Sequence, residues 1–365
     1  EDSPRGLATG DIDNDGDVEL LTGNASGATV QWWENDGTGG FSTHTITAAA
    51  TGVETVRLTD LDNDGDLDGL AAVSQEYLVE WYENLGSGLF AAPVAIAPDI
   101  AYPFDVLAVD IDNDGDRDVI ASSYMDDAVE LYRNEGNNTF GPAIVIATGA
   151  DGPGAIALAD LDGDGLVDLA VAEENEEVVA WFRNLGGNTF GPEVELLTDA
   201  DATNSIEAVD MDNDGDMDLL ATGGTNGRIR SLMNNGSGAF TPVVVGTYLL
   251  GVRSATAVDM DQDSDLDVAA VTGAYGRVLW FRHEGAWDGI VHPTEYQLHF
   301  EPNPMSDRGW LIAPRPFAPG DRLFIRALDG RMVRLLQTSG TNRVPVDRED
   351  LAPGWYVLTN TGPDG

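Results

Sequence analysis

The sequence predicts an all-β protein: a six-bladed β-propeller followed by a small C-terminal β-sandwich, with a seven-bladed ring as the alternative. Three observations carry this reading. An acidic nonapeptide recurs six times at a spacing of 49 or 50 residues. Short apolar runs ended by turn residues flank each copy, as buried strands do. The repeat and its negative charge stop together near residue 290.

The copies are DIDNDGDVE at 11–19, DLDNDGDLD at 60–68, DIDNDGDRD at 110–118, DLDGDGLVD at 160–168, DMDNDGDMD at 210–218 and DMDQDSDLD at 259–267. A constant period of that length marks a repeat architecture. Carboxylates at positions 1, 3 and 5 of each copy converge when the chain turns at position 6, which is Gly in five copies. Glycine suits such a turn because it carries no Cβ. Oxygen donors without Cys or His suit Ca²⁺ rather than zinc or copper.

An EF-hand begins in the same way, but it needs a bidentate Glu at position 12 and a helix on each side. Position 12 here is Thr22, Ala71, Ala121, Val171, Ala221 and Ala270, none of which can bind a metal. The further acid stands at position 9: Glu19, Asp68, Asp118, Asp168, Asp218 and Asp267. The flanks, such as residues 106–109 and 119–121, are too short for helices, so the loop is expected to join two strands of a hairpin.

The second repeat shows the expected blade. Residues 54–59 lead into the loop, 70–73 leave it, 78–82 form a third strand, a turn covers 84–88 and 90–97 form a fourth. Four strands per repeat make one propeller blade. The third strand recurs as QWWEN, EWYEN, ELYRN, AWFRN, RSLMN and LWFRH. The fourth opens with Phe41, Phe90, Phe140, Phe190 and Phe240; the sixth repeat has Gly289 there, with Trp287 nearby. Aromatics recurring at one place in every blade are expected to fill the core between blades rather than stack on sugars.

The chain has 365 residues, with 64 acidic against 18 basic ones and a net charge of −46. All 18 basic residues are Arg. So acidic a surface excludes nucleic acid as a partner and disfavours an anionic membrane. No apolar stretch reaches the length of a membrane span. No leader-like segment opens the chain, so it reads as mature, truncated or cytosolic. Cysteine is absent, which excludes disulfides and thiol catalysis. His44, His283, His292 and His299 are scattered, and no Ser–His–Asp set has a supporting motif. Residues 291–365 hold nine acids and eight Arg, so nearly all the charge lies before them. The expected domains are a calcium-binding propeller at 1–293 and a β-sandwich at 297–365.

Six D-x-D-x-D-G-x-x-D loops, with NTFGPA at 138–143 and NTFGPE at 188–193, resemble the FG-GAP or VCBS repeats of integrin-α-like propellers. The resemblance covers residues 5–293. It implies about six Ca²⁺ ions, one per blade, each held by side chains at loop positions 1, 3, 5 and 9 and by the backbone carbonyl at position 7. The implied ligands are Asp11, Asp13, Asp15, Asp17 and Glu19 in the first loop, and Asp60, Asp62, Asp64, Asp66 and Asp68 in the second. In the third they are Asp110, Asp112, Asp114, Asp116 and Asp118, and in the fourth Asp160, Asp162, Asp164, Leu166 and Asp168. In the fifth they are Asp210, Asp212, Asp214, Asp216 and Asp218, and in the sixth Asp259, Asp261, Asp263, Asp265 and Asp267. Two loops depart from the pattern: Glu19 replaces Asp, and Ser264 replaces Gly, which strains that turn and weakens its site.

The tail carries FEPNP at 300–304, LDGRMV at 328–333 and LAPGWYVL at 351–358. It resembles the C-terminal sorting domain of type IX secretion substrates. This implies a Bacteroidetes-like bacterium and export to the cell surface or beyond. The family's further, often basic, last strand has no counterpart before Gly365, so either that strand is missing from the sequence or the sheet has an open edge.

The expected function is a secreted, calcium-stabilised, non-catalytic structural or adhesive protein. Its expected partners are other copies of itself, cell-surface or matrix components, and glycans. Arginines of the tail set against the acidic propeller suggest head-to-tail filaments. A carbohydrate-binding module is the alternative, and a polysaccharide-degrading enzyme is third. Any ligand face is expected opposite the metal loops, near Tyr102, Tyr124, Asp126, Asn175, Asp201, Arg228, Tyr248 and Tyr275.

Overall fold

The computed structural model describes residues 3–283 except 137–138, 201–202, 225–226, 248, 250, 262 and 274–276, together with the backbone of six strands between 299 and 361. The acidic loops divide the first part into six antiparallel sheets. Blade 1 is β1 (Pro4–Gly10), β2 (Glu19–Asn24), β3 (Thr29–Asn35) and β4 (Phe41–Thr47). Blade 2 is β5 (Val53–Thr59), β6 (Asp68–Val73), β7 (Leu78–Tyr82) and β8 (Val94–Ala97). Blade 3 is β9 (Pro103–Val109), β10 (Asp118–Ser123), β11 (Ala128–Tyr132) and β12 (Ile144–Thr148). Blade 4 is β13 (Pro153–Ala159), β14 (Asp168–Glu173), β15 (Val178–Phe182) and β16 (Val194–Leu197). Blade 5 is β17 (Thr203–Val209), β18 (Asp218–Gly223), β19 (Arg228–Asn234) and β20 (Phe240–Gly246). Blade 6 shows β21 (Val252–Val258), β22 (Asp267–Thr272) and β23 (Arg277–Phe281); the place of its fourth strand lies outside the described residues.

This is a six-bladed β-propeller of up-and-down sheets. Its inner strands β1, β5, β9, β13, β17 and β21 pack in chain order. The strands expected in blade 2 form with small shifts of their ends, except the fourth. There Phe90 makes only an isolated bridge to Asn84, and the continuous strand starts at Val94. Blades 3 and 4 break in the same way at Phe140 and Phe190. Pro242 sits inside the unbroken β20, so proline alone does not cause the break.

Each hydrophobic core lies between two neighbouring blades. Trp32 of blade 1 packs with Val56 and Tyr82 of blade 2. Trp81 of blade 2 packs with Val106 and Tyr132 of blade 3, and meets Phe140 edge-on with centroids 6.4 Å apart. Most of the recurring aromatics are therefore core, as expected, but Phe41 of blade 1 is 46% exposed. Interleaving apolar residues from two sheets buries each blade on its neighbour.

Among the described residues the two end blades show no neighbour on one side. Val30, Val79, Val129, Val179 and Ile229 share one register position and are 0% exposed, whereas Val278 at that position in blade 6 is 66% exposed. Leu7 of blade 1 is 59% exposed, while Val56, Val106, Ile156, Ile206 and Ala255 at its register are at most 8% exposed. Among the described residues no packing like that between consecutive inner strands joins β21 to β1.

In the tail, β24 (His299–Glu301), β25 (Arg308–Ile312) and β28 (Arg343–Asp347) form one antiparallel sheet. A second consists of β27 (Met332–Gln337), β26 (Arg322–Ala327) and β29 (Tyr356–Thr361). No helix among the described residues is long and apolar enough to cross a membrane.

Candidate metal centres and the opposite face

Each acidic loop connects the first and second strands of its blade, so all six lie on one face of the propeller. Each loop is shaped by its own carboxylates. In the second, Asp60 accepts the backbone N–H groups of Asp64 and Gly65 at 3.1 Å each, and Asp64 accepts that of Asp66 at 2.9 Å. The same bonds recur in the sixth loop from Asp259 and Asp263. In the first five loops two residues take left-handed backbone, at positions 4 and 6: Asn63 at φ 62° and Gly65 at φ 97° in the second loop. The tolerance of Asn for this conformation explains its recurrence at position 4, a signal the motif reading overlooked. Ser264 holds φ 78° where the other loops have glycine, so the expected strain of the sixth turn is present.

The carboxylates meet as a cation requires. Oxygens of Asp11, Asp13 and Asp15 lie within 4.8 Å of one another, as do those of Asp60, Asp62 and Asp64. In later blades the same is true of Asp110, Asp112 and Asp118, of Asp160, Asp162 and Asp168, and of Asp210, Asp212 and Asp218. Positions 1, 3, 5 and 9 of the expected ligand set are thus represented among these clusters. Side chains at position 7 do other work: Asn63 of blade 2 donates to Asp116 Oδ1 at 3.3 Å and to the Gly115 carbonyl at 3.1 Å, linking neighbouring loops.

Position 9 is fully buried. Asp68 accepts the N–H of Leu61 at 3.1 Å and of Asn84 at 2.7 Å, and the pattern repeats for Asp118, Asp168, Asp218 and Asp267. Burial pushes Asp68 up to about 7 and Asp118, Asp168 and Asp218 up to about 6, against these two N–H bonds. The buried Glu19 Oε1, Asp112 Oδ1, Asp162 Oδ1 and Asp261 Oδ1 have no hydrogen-bond partner. Orphaned buried carboxylate oxygens, in an all-oxygen cluster, fit a hard divalent cation.

The loops divide into two kinds. One register position at the end of the third strand holds Arg133, Arg183 and Arg282 in blades 3, 4 and 6, but Glu34, Glu83 and Met233 in blades 1, 2 and 5. Arg133 pairs with Asp112 and Asp114, Arg183 with Asp162 and Asp164, and Arg282 with Asp261 and Asp263. Glu34 instead raises the pKa of Asp13, after burial and Asp15.

The opposite face has no repeated motif. Of the residues expected there, Tyr102, Tyr124 and Asn175 come together: the tyrosine rings are 5.9 Å apart, and Tyr124 Oη lies 3.5 Å from Asn175 Oδ1. Phe104, which the sequence reading missed, stacks on Tyr124 at 6.4 Å. Asp126 accepts from Ser123, next to Tyr124 in the chain, and Arg228 of blade 5 pairs with Asp199. Asp201, Tyr248 and Tyr275 lie outside the described residues.

Fold and loops define a β-propeller whose blades each present an acidic cluster consistent with a Ca²⁺ site. The chain belongs to the FG-GAP-like repeat family, whose pattern matches residues 11–71, 110–171, 160–221 and 210–270. A comparison with curated proteins finds no match. Among solved structures it is similar to an Agrocybe aegerita lectin described as recognising non-reducing terminal N-acetylglucosamine. That match has 18% identity and a TM-score of 0.57, and covers 100% of this chain and 86% of that one. It is also similar to a putative 6-phosphogluconolactonase from Bacteroides uniformis, with 14% identity and a TM-score of 0.56, covering 76% of this chain and 80% of that one. At these identities the likeness is one of fold.

Proposed function

We propose that this protein is a secreted, calcium-stabilised propeller that acts as a structural or adhesive component at the cell surface or outside the cell, without catalysis. The observation that carries this is the acidic cluster repeated from blade to blade, with buried oxygens left without partners. Sites of this kind in extracellular modules bind Ca²⁺ with Kd of roughly 10⁻⁴–10⁻³ M, so they fill outside the cell and empty in cytosol. A tail that resembles a sorting domain agrees with export. Calcium titration by calorimetry, with fractionation of the native cells, tests the reading. Absence of calcium binding, or a purely cytosolic location, would overturn it.

Head-to-tail assembly belongs to the same proposal. It is supported by the uncovered Val258, Val271 and Val278 on blade 6 and Leu7 and Phe41 on blade 1. A contact between unlike faces of two copies propagates unless it closes. Light scattering with calcium should show growth with concentration, abolished by Val278→Glu.

A carbohydrate-binding role is the second reading. The aromatic cluster at Tyr102, Phe104 and Tyr124 favours it, and the lectin similar in fold has a sugar as its named ligand. Glycan-array binding of the full chain tests it.

A further inference from the structure

Blade 3 breaks the repeat pattern at three positions that lie together. Eight residues before their acidic loops, blades 2, 4 and 6 have Gly52, Gly152 and Gly251, at φ 78°, 63° and 69°. Blade 3 has Tyr102 there, at φ 56°. A bulky L side chain is strained in this conformation, and such strain collects at functional sites. Phe104 stands where the other blades have Arg5, Glu54, Gly154, Asn204 and Arg253, and Tyr124 where they have Ala25, Ser74, Glu174, Gly224 and Gly273. Five blades fold without an aromatic at either place, so core packing does not require one.

Tyr102 stands just before β9, Phe104 is the second residue of β9 and Tyr124 follows β10, at the end of the inner strands opposite the metal loops. That is the mouth of the central channel. All three are half-buried, each leaving part of its surface to solvent. Tyr102 Oη donates to Glu54 Oε1 at 3.2 Å, which anchors the strained residue to blade 2. Tyr124 reaches blade 4, where its hydroxyl meets Glu174 and Asn175. Gly152 leaves room for this contact: a Cβ there would come within 2.4 Å of Asn175 Nδ2 and 3.3 Å of Tyr124 Cε2. Asn175 is fixed in turn by Asp151, through Nδ2 to Oδ1 at 2.9 Å.

We propose that this cluster binds an uncharged pyranose, its C–H face on the Tyr124 and Phe104 rings and its hydroxyls donating to Glu174 and Asn175. This rests on the carbohydrate reading above and gives it a site and a ligand class. Aromatic rings supply apolar contact at low entropic cost, and a few polar groups set orientation. The rim selects against acidic sugars. Arg5 is paired with Glu54 and Arg253 lies near Glu174, so neither cation is spare, and the surrounding surface is strongly negative.

The test uses the full chain with saturating calcium, titrated with cellotriose, chitotriose and trigalacturonate. A neutral trisaccharide should bind and trigalacturonate should not. Tyr124→Leu keeps apolar bulk but removes the ring, and should weaken binding about tenfold. Tyr102→Gly should weaken it comparably while the melting temperature holds or rises, because glycine suits that backbone. A tyrosine with a merely structural role would lower the melting temperature instead. Neutral-sugar binding untouched by both variants would overturn the site while leaving the carbohydrate reading intact. No saccharide binding by the wild type would overturn both, and tighter binding of trigalacturonate would overturn the ligand class.

Discussion

Blades 2 to 5 and the two end blades are built from the same repeat, yet the same register positions face different surroundings. Inside the arc, Val79 and Val129 are sealed between sheets; at its end, Val278 stands in solvent. Blade 1 answers its missing neighbour with polar residues. Thr22 and Asn24 stand where blade 2 has Ala71 and Val73, and a local network holds them: Trp33 Nε1 donates to Thr22 Oγ1 at 3.1 Å, and Asn24 Nδ2 to Thr29 Oγ1 at 2.8 Å. Terminal repeats need such a polar outer face. Among its described residues blade 6 has no equivalent and presents valines. Blade 1 thus ends the repeat on a face that is polar apart from Leu7 and Phe41, and blade 6 on one that presents Val258, Val271 and Val278.

Removing calcium should erase this contrast and have the largest effect. Loops that bridge neighbouring blades would lose their cations and be left with clustered like charges. At about tenfold excess over Kd each site adds roughly 1.4 kcal/mol, so six give about 8 kcal/mol. The melting temperature in excess chelator should fall by more than about ten degrees; an unchanged melt would show that the loops do not hold a stabilising cation.

Next in size is a matched pair of substitutions at one register position. Ile156→Ala, inside the arc, should cost about 2–5 kcal/mol. Leu7→Ala, on the open face, should stay within about 0.5 kcal/mol in protein dilute enough to be monomeric. Chemical denaturation measures both. Equal losses would show that blade 1 is covered in solution, either by blade 6 or by another copy.

Burial inside the arc also sets a pH dependence. Glu173 shares the register of Asn24, but it is wholly buried and neither carboxyl oxygen has a partner. Burial first, then Glu193, pushes it up to about 8. Since the folded value is raised, its contribution is full below the unfolded value near 4.5 and is lost as pH rises to about 8. Calcium-saturated protein should therefore lose up to about 1 kcal/mol per pH unit across that window, and Glu173→Gln should flatten the slope. An identical slope in the variant would show that Glu173 ionises freely.

The smallest effect separates the loops themselves. Sites in blades 3, 4 and 6 have an arginine against their ligands, whereas Glu34 and Glu83 add negative charge in blades 1 and 2. Calcium should fill in two phases, and Arg183→Ala should tighten one site by a few-fold. A single phase in both proteins, followed by terbium luminescence, would show that the arginines swing clear of the cation.

Much of this was legible because repetition averages out local ambiguity. Six copies of one loop, at one spacing, announced the blades, the donor atoms and the face that carries them. The overlooked Phe104 carried no repeat to mark it, and the ring it stacks on, Tyr124, lies twenty residues further along the chain. The interrupted fourth strands were equally silent: residues 90–97 read as one run, although pairing to the third strand lapses after Phe90.

What the sequence by itself determined are the features set by local chemistry: carboxylates at fixed spacing, a turn that only small or polar residues tolerate, and alternating apolar strands between turns. Those depend on a few neighbouring residues, and each repeat states them again. Only the tertiary structure decided which of six equivalent faces is covered, which buried oxygens are left without a partner, and which non-repeating aromatics meet at the channel mouth. Such facts depend on where a blade stands in the arc and on contacts some fifty residues apart, and a sequence repeat is silent about both.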